Sequence, residues 1–238
     1  MNKQNVLVIV PAFNESGNIQ RVVEELLSLP LSVSVLVIDD GSRDGTAREA
    51  KSSGAKVVSL PVNLGIGGAV QTGFQYALRQ NFDLAVQVDG DGQHDVSFLE
   101  KIISPVAQHQ ADMAIGSRFI PPYLGYQSSF IRRIGIHFFA GLIGFLTGVR
   151  VTDSTSGFRA FNRRLIKAFA RNYPHDFPEP EAIVLAKRLG ARIIEVPVKM
   201  RKRETGVSSI RYLRTLYYMI KVTFAILLDM LRKKERLE

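Results

Sequence analysis

Short runs of apolar residues alternate with stretches of helical spacing along the first half of the chain. Residues 6–10 and 33–38 are almost entirely apolar, which is typical of strands buried on both faces of a sheet. Between them, residues 17–29 place apolar side chains three and four positions apart, as an amphipathic helix does. The alternation continues through predicted strands at 56–60, 83–88 and 113–116 and predicted helices at 46–53, 68–79 and 98–106. The chain is therefore predicted to be an α/β protein built from parallel βαβ units.

Two long apolar stretches dominate the second half of the chain. Residues 134–149 are interrupted only by a His, a Thr and four glycines, and residues 212–231 gather apolar side chains on one helical face. A membrane-spanning helix needs about 20 apolar residues, so both stretches are predicted to lie along a membrane surface. For the second stretch, packing on its own domain or on a partner subunit is the alternative interpretation.

These patterns divide the chain into two predicted parts. A catalytic domain is predicted over residues 1–210, including an apolar interfacial helix at 128–149. An amphipathic juxtamembrane helix with a basic tail is predicted over 211–238. The first residues lack the features of a signal peptide, and we expect a peripheral protein on the cytoplasmic face of a membrane.

Charge is distributed unevenly between the two halves. Residues 1–117 carry 8 Lys and Arg against 13 Asp and Glu, a net charge of −5, whereas residues 118–238 carry 23 against 9, a net charge of +14. The acidic half suggests a cation site, and the basic half suggests an anionic partner such as phosphate, anionic lipid or nucleic acid. The 238 residues contain no Cys, which excludes disulfide scaffolds, thiolate nucleophiles and zinc–thiolate sites.

The clearest chemical motif follows the predicted strand at 83–88. Asp89 and Asp91 are separated by Gly90 and followed by Gln93 and His94. Two carboxylates one residue apart at a strand end can both face a hard divalent cation, and Mg²⁺ or Mn²⁺ held in this way keeps positions open for substrate phosphates. An Asp- and Gly-rich turn without a ligand is the alternative interpretation.

Further polar motifs follow other predicted strands. Asp39 and Asp40 end the strand at 33–38 and could accept hydrogen bonds from a ribose or a base. Residues 11–15 end the first strand at the same edge of the sheet. The glycine-rich residues 65–69 resemble a phosphate-binding loop but match neither the dinucleotide nor the Walker pattern.

Taken together, six motifs resemble glycosyltransferase family 2, in the branch of dolichyl-phosphate mannose synthase and the polyprenyl-phosphate glycosyltransferases. They occur in the family's order: PAFNESGNI, VIDDGSRDGT, NLGIGGAVQTGF, VQVDGDGQHD, GSRF and DSTSGFRAFNR. The resemblance covers about residues 5–210. It implies a GT-A (Rossmann-like) fold with a mixed, mostly parallel sheet flanked by helices. It also implies a nucleotide-sugar donor, a polyprenyl-phosphate acceptor, and inverting transfer that depends on Mg²⁺ or Mn²⁺.

The resemblance also implies roles for residues on the donor side. Residues that follow the first two strands would line the nucleoside pocket: Pro11, Phe13, Glu15, Asp39 and Asp40. Asp89, Asp91 and Gln93 would hold the cation that bridges the diphosphate. Gly67 and Gly90 complete the expected donor-side contacts, although the branch often has Ala where this chain has Gly90.

On the acceptor side, two segments match the branch. Residues 153–159 match its acceptor-side loop and supply Asp153, Ser156 and Arg159, and residues 203–208 match its R-x-x-G-x-S segment near the phosphates with Arg203 and Ser208. The branch usually has Lys after that Ser, where this chain has Ser209. A phosphate contact is then missing, or it is supplied by Arg201 or Lys202.

The expected chemistry assigns catalytic roles to Asp91, Arg118 and Arg203. A phosphomonoester acceptor is largely anionic near neutral pH, so it needs charge neutralisation more than a general base. The candidates to hold phosphate oxygens are Arg118, Arg132, Arg133 and Arg203, and Glu181 could face the sugar. For each Arg an exposed, solvated role is the alternative, and for Glu181 the alternative is an acidic residue in the first turn of a helix.

Three other functions compete with lipid-phosphate transfer. The same fold could transfer to a saccharide or another hydroxyl in cell-envelope glycan synthesis, which requires a base such as Glu181 or Asp153. A nucleic-acid-binding protein is disfavoured, because the aromatic residues lie in apolar runs rather than between basic residues. A scaffold without activity is disfavoured by the Asp89 and Asp91 pair. The expected partners are therefore the donor, the lipid acceptor and the membrane surface, with a separate membrane-anchoring subunit as a further candidate.

Overall fold

The structure is a computed structural model that describes residues 4–122, 130–175, 178–201, 221, 223 and 224. The predicted juxtamembrane helix at 211–238 lies almost entirely outside these residues, as do Arg203 and Ser208.

Seven strands within the described residues form one mixed sheet. They are β1 (Val6–Ala12), β2 (Val33–Asp39), β3 (Lys56–Ser59), β4 (Leu84–Gln87), β5 (Met113–Ser117), β6 (Arg159–Asn162) and β7 (Ile193–Pro197). Their order across the sheet is β3-β2-β1-β4-β6-β5-β7. β6 is antiparallel to both of its neighbours, β4 and β5, and the other pairs are parallel.

Helices cover both faces of the sheet. They are α1 (Ile19–Leu27), α2 (Thr46–Ser52), α3 (Gly65–Arg79), α4 (Leu99–Ala107), α5 (Phe130–Thr147), α6 (Arg163–Arg171) and α7 (Pro178–Arg188), with a 3₁₀ turn at Val96–Phe98 before α4. The core on one face is built from α3, α5, α6 and α7, and the core on the other from α1, α2 and α4.

The strand β1 is buried because its sequence is apolar at every position. All seven residues of β1 are buried, which requires apolar layers on both faces. On the α3 face, the rings of Phe74, Phe161 and Phe169 meet edge to face, with centroids 5.1 to 5.7 Å apart. Each such pair contributes about 0.5–1.5 kcal/mol beyond the area that it buries.

The α/β fold predicted from the sequence is confirmed, and three features differ from the expectation. The pattern missed β6 and β7, and it placed the start of the third helix at residue 68 although α3 begins at Gly65. Residues 65–69 are therefore the first turn of a helix rather than a phosphate-binding loop.

The apolar stretch around α5 forms a helix that is buried on one side only. Phe139 and Ile143 belong to the core, whereas Phe138 is 45% exposed and Phe145 is 88% exposed. Across the residues that the structure describes, no helix combines the length and apolar character needed to cross a membrane.

Candidate active site

The carboxyl ends of β1, β2 and β4 bring three of the predicted motifs to one edge of the sheet. Ala12 is paired with Asp39 where β1 meets β2, and the Gly90 N–H donates to the Pro11 carbonyl at 3.3 Å. The acidic residues after β2 and β4 thus flank the end of β1. Ligands of parallel α/β sheets bind at such an edge.

Asp89 is held in place by contacts with His94 and Gln87. Its N–H donates to His94 Nδ1 at 3.0 Å, and its Oδ1 accepts from Gln87 Nε2 at 3.3 Å. Its Oδ2 lies 3.5 Å from His94 Nε2, and the side chain is 30% exposed. The carboxylate is thus oriented by the protein and still partly open to solvent.

The next turn of the motif holds Asp91. The Gln93 N–H donates to Asp91 Oδ1 at 3.0 Å, and Gly92 has φ +74°, a left-handed conformation in which glycine is favoured. The two carboxylates are therefore presented by one tight turn that directly follows β4.

His94 and Gly157 both lie against Asp89 of this turn. The His94 ring is 4% exposed and is stacked on Phe158, with centroids 5.0 Å apart and planes 14° apart. A Cβ at Gly157 would lie 2.8 Å and 2.9 Å from the Asp89 carboxylate oxygens. A glycine at 157 therefore leaves room for the Asp89 carboxylate.

The donor set of the turn fits a hard divalent cation. Asp89, Asp91 and Gln93 offer only oxygen ligands, as Mg²⁺ prefers. No cluster of three or more His, Asp or Glu side chains suited to a metal occurs in the described part of the chain. A site with so few protein ligands suits a cation that also binds substrate phosphates.

Asp39 and Asp40 are more enclosed than the sequence suggested. Asp39 is 5% exposed and accepts from the Ser42 N–H at 3.1 Å. Asp40 is 3% exposed and accepts from the Leu64 N–H, at the start of α3, at 2.7 Å. Burial raises the pKa of Asp40 above its ordinary value, against the lowering effect of the Leu64 and Gly65 backbone N–H donors. Asp40 therefore caps α3, whereas it was expected to line the nucleoside pocket.

The other predicted nucleoside residues surround the end of β1. Phe13 is 46% exposed, while Pro11 is buried within β1. The Glu15 N–H donates to Thr46 Oγ1 at 2.9 Å, and Glu15 Oε2 accepts from Asn18 Nδ2 at 2.9 Å. Phe13 is thus the aromatic face that this edge of the sheet offers to a ligand.

Gly67 and Gly90 allow close packing of the backbone. A Cβ at Gly67 would lie 2.3 Å from the Pro174 carbonyl oxygen and 2.4 Å from that of His175. A Cβ at Gly90 would lie 3.1 Å from the Pro11 carbonyl oxygen. At Gly67, α3 therefore packs directly against residues 174–175, and the expected donor-side contact of this glycine stays a prediction.

On the acceptor side, Arg118 and Asp153 form a buried ion pair. Arg118 Nε donates to Asp153 Oδ2 at 2.6 Å, and Nη2 donates to Oδ1 at 2.7 Å. The Asp153 side chain is fully buried and that of Arg118 is 10% exposed. Both Asp153 oxygens are engaged by one guanidinium, so this carboxylate is not placed as a general base.

Glu195, in β7, anchors the loop that carries Asp153. Its carboxylate accepts from the Thr152 and Asp153 N–H groups, each at 2.8 Å. Burial raises the pKa of Glu195 above its ordinary value, although the two backbone donors act in the opposite direction. Glu195 was not among the site residues predicted from the sequence. Its position as an acidic residue among apolar residues of β7 could have indicated a structural or functional role.

Arg159 is a structural residue in this arrangement. It is fully buried, and its guanidinium donates to the carbonyls of Ser156, Glu179 and Ser154 at 2.6, 2.7 and 3.0 Å. Ser156 is also buried, at 2% exposure. These contacts fold the 153–159 loop against α7, and the substrate contacts expected of Arg159 and Ser156 stay predictions.

The remaining predicted residues occupy helices or lie outside the described part. Glu181 is half-buried in the first turn of α7, which is the alternative that the sequence left open. Arg133 is half-buried in α5. No structural position is assigned to Arg203 or Ser208, because they lie outside the described residues.

Comparison with known proteins places these motifs in a family. The family model described as Glycosyl transferase family 2 matches residues 7–169. The chain is 31% identical over 216 residues to the UDP-N-acetylglucosamine–dolichyl-phosphate N-acetylglucosaminyltransferase of Methanococcus voltae, covering 82% of this chain and 84% of that protein. It is 32% identical over 215 residues to the polyprenol monophosphomannose synthase of Mycolicibacterium smegmatis, covering 86% of this chain and 80% of that protein.

The fold is similar to that of solved glycosyltransferase structures. One is glucosyl-3-phosphoglycerate synthase from Mycobacterium tuberculosis in complex with Mn²⁺, uridine diphosphate and glucosyl-3-phosphoglycerate. It matches with a TM-score of 0.71 at 21% identity, covering 95% of this chain and 80% of that chain. At this identity the likeness establishes the GT-A fold alone.

Proposed function

Since this chain belongs to glycosyltransferase family 2, we propose that it transfers a hexose from a nucleotide sugar to a polyprenyl phosphate. The observation that carries this proposal is the acidic turn Asp89–Asp91–Gln93, presented at the sheet edge where β1 and β2 also end. The named relatives that act on dolichyl phosphate and polyprenol support the acceptor class.

On the donor side, Asp89, Asp91 and Gln93 would hold Mg²⁺ or Mn²⁺ against the diphosphate. When bound, the cation neutralises the charge that develops on the leaving nucleoside diphosphate. Phe13 offers an aromatic face for the base, and His94 and Gln87 keep Asp89 oriented. Solved structures of the same fold that contain Mn²⁺ or Mg²⁺ with uridine diphosphate support this cofactor.

In the transfer, an oxygen of the acceptor phosphate attacks the anomeric carbon of the sugar. The bond between that carbon and the diphosphate oxygen breaks, and the electron pair leaves with the nucleoside diphosphate. Attack from the face opposite the leaving group inverts the anomeric centre. A phosphomonoester is already anionic near neutral pH, so the chain needs to position it and neutralise its charge.

The Arg118–Asp153 ion pair favours a phosphate acceptor over a hydroxyl acceptor. Transfer to a hydroxyl requires a base, and Asp153 is occupied by Arg118 on both oxygens. Arg133 and Arg203 are the cations that we propose for the phosphate oxygens, while the Arg118 guanidinium is held by Asp153. Glu181 remains the base that a hydroxyl acceptor would need.

We further propose that the protein works at the cytoplasmic surface of a membrane. The exposed side of α5, with Phe138 and Phe145, would contact the lipid in which a polyprenyl acceptor resides. A separate membrane-anchoring subunit is an alternative partner for the same surface.

The direct test is transfer from radiolabelled GDP-mannose, UDP-glucose and UDP-N-acetylglucosamine to polyprenyl phosphate in detergent, with Mg²⁺, Mn²⁺ or EDTA. We expect acid-labile label in the organic phase from one donor, and loss of that label with EDTA. Metal-dependent nucleotide binding without lipid label from any donor would overturn the acceptor assignment. Label on an added saccharide would instead support the hydroxyl acceptor.

The substitution Asp91→Asn tests the cation site itself. We expect transfer to fall by more than about 100-fold, the upper end of what losing an outer-shell partner of a metal costs. Asp83→Asn is a matched control, because Asp83 adjoins the opposite end of β4 and accepts from the Asn5 N–H. Equal loss of activity in both variants, or full activity in Asp91→Asn, would contradict the proposed site.

A further inference from the structure

The chain segment after β7 runs alongside the acidic turn. Met200 and His94 form an antiparallel β-bridge, and the Arg201 N–H donates to the Gln93 carbonyl at 2.7 Å. Both backbone polar groups of Gln93 are therefore hydrogen-bonded: its carbonyl accepts from the Arg201 N–H, and its N–H donates to Asp91. Residues 200–201 thus support the turn that presents the two carboxylates.

The Arg201 side chain ties this contact to two further elements. Nη1 lies 2.8 Å and 2.7 Å from the two carboxylate oxygens of Glu25 in α1, and Nη2 lies 3.3 Å from Asp95 Oδ1. Asp95 in turn accepts from the Ser97 N–H and begins the 3₁₀ turn before α4. The guanidinium of Arg201 therefore connects the segment after β7 to α1 and to the end of the acidic turn.

The chemistry of arginine suits this contact. A planar guanidinium can bind two carboxylates at once, whereas the single ammonium of lysine cannot reproduce the fork. The Arg201, Glu25 and Asp95 side chains are 33%, 30% and 13% exposed, so water screens the contact only in part. The Arg201 guanidinium is therefore engaged by two carboxylates of the protein itself.

We infer that Arg201 is a positioning residue for the cation site, holding the Asp91–Asp95 turn through the Gln93 carbonyl, Glu25 and Asp95. The inference rests on the proposed function, because it assigns the turn to a cation. It assigns no contact between Arg201 and substrate. Its consequence is that changes at Arg201 or Glu25, outside the proposed ligand set, weaken binding of the metal.

The test measures binding of Mn²⁺ with uridine diphosphate or guanosine diphosphate, by electron paramagnetic resonance of Mn²⁺ and by calorimetry. The full chain is compared with Arg201→Met, Arg201→Lys, Glu25→Gln and the double variant Glu25→Gln/Arg201→Met. Arg192→Met is the matched control, since Arg192 precedes β7, is 62% exposed and donates to the His109 carbonyl. Thermal unfolding without metal reports whether each variant is folded.

We expect Arg201→Met to weaken Mn²⁺ binding by about 10-fold, the lower end for loss of a residue that orients metal ligands. Glu25→Gln should weaken it less, and the double variant should show less than the sum of the two effects, because both act through one contact. Arg201→Lys should recover only part of the loss, and nucleotide binding in EDTA should be unchanged. In steady-state assays the KM for the metal should rise more than kcat falls.

The inference is overturned if folded Arg201→Met binds Mn²⁺ as the parent chain and Arg192→Met do. If Arg201→Met does not fold, unchanged Mn²⁺ binding in Glu25→Gln overturns it equally. If the parent chain itself fails to bind Mn²⁺ with either nucleotide, the proposed function fails first and the inference fails with it.

Discussion

At the residue scale, the acceptor side of the site is organised by charged groups that are themselves buried. Arg159 and Asp153 are both fully buried, and Glu195 in β7 accepts from the Thr152 and Asp153 N–H groups. Buried charges persist only when they are paired or hydrogen-bonded. Each of these residues has such partners, so together they determine the conformation of the 153–159 loop.

Glu195→Gln tests the part that Glu195 plays in this loop. One backbone N–H would face an amide NH₂ instead of a carboxylate oxygen, and we expect a loss of about 1 kcal/mol in unfolding free energy at neutral pH. Urea denaturation measures this loss. Glu100→Gln, at an exposed position on α4, corrects for removal of one negative charge.

The difference in unfolding free energy between the parent chain and Glu195→Gln should also depend on pH. Because burial raises the folded pKa of Glu195 above 4.5, the folded chain binds this proton more tightly than the unfolded chain does. Its contribution to stability is therefore fully present below pH 4.5 and is lost as pH rises through the folded pKa. The stability difference between the parent chain and Glu195→Gln should grow as pH falls from about 7 to about 4. A constant difference would contradict the raised pKa.

At the scale of elements, the first turn of α3 links the donor side to the core. Its N-terminal amide donates to Asp40, and its Gly67 packs against the backbone of residues 174–175. The N-terminus of α3 is thus hydrogen-bonded to Asp40, the residue after β2. One side of α3 packs against the segment after α6. The glycine-rich sequence that resembled a phosphate loop is explained by this close packing.

Gly67→Ala should be destabilising although alanine favours helices. The added Cβ would meet two carbonyl oxygens of the backbone, and such overpacking costs about 1–3 kcal/mol. Gly141→Ala on the exposed side of α5 is the matched control. Outside its own helix backbone, no atom of the described residues lies within 4 Å of its added Cβ, so the variant should gain up to about 1 kcal/mol. Thermal or urea unfolding distinguishes the two, and equal stability in both would refute the packing argument.

At the scale of the whole molecule, the described part has an acidic edge at the ends of β2 and β4 and an apolar surface on α5. Phe138 and Phe145 are exposed on that surface, while Phe139 and Ile143 on the opposite side belong to the core. An amphipathic helix of this kind binds lipid in proportion to the apolar area that it inserts. The arrangement suits an enzyme whose donor is dissolved and whose acceptor is held in a membrane.

Phe138→Ser/Phe145→Ser tests this surface. Each phenylalanine contributes about 1.5–3 kcal/mol when fully buried, so vesicle binding should weaken by at least about 10-fold. Binding of the nucleotide should not change. Leu27→Ser on α1, where Leu27 is 44% exposed, is the control on the other face of the sheet. Unchanged sedimentation of the double variant with vesicles of zwitterionic or anionic lipid would rule out α5 as the contact.

The amino-acid sequence by itself determined the strands β1 to β5, the α/β class and the acidic motif at the end of β4. These features depend only on residues that are close together in the sequence. An apolar run indicates a buried strand, and the spacing of a motif can be read, without knowledge of the tertiary surroundings. The family followed for the same reason, because its motifs are local and ordered along the chain.

Only the tertiary structure decided which charged residues face the site and which support it. Arg201 contacts Glu25 across 176 positions of sequence, Glu195 binds residues 152–153 across 42 and 43 positions, and Arg159 is enclosed by carbonyls that include one from α7. The antiparallel strand β6 was missed because it begins with this buried arginine, which interrupts the apolar pattern. The partners of a charge, and hence its burial, are set by elements distant in sequence. The same residue types in the 118–201 region therefore indicated substrate contacts from the sequence, whereas in the folded chain they bind other parts of the protein.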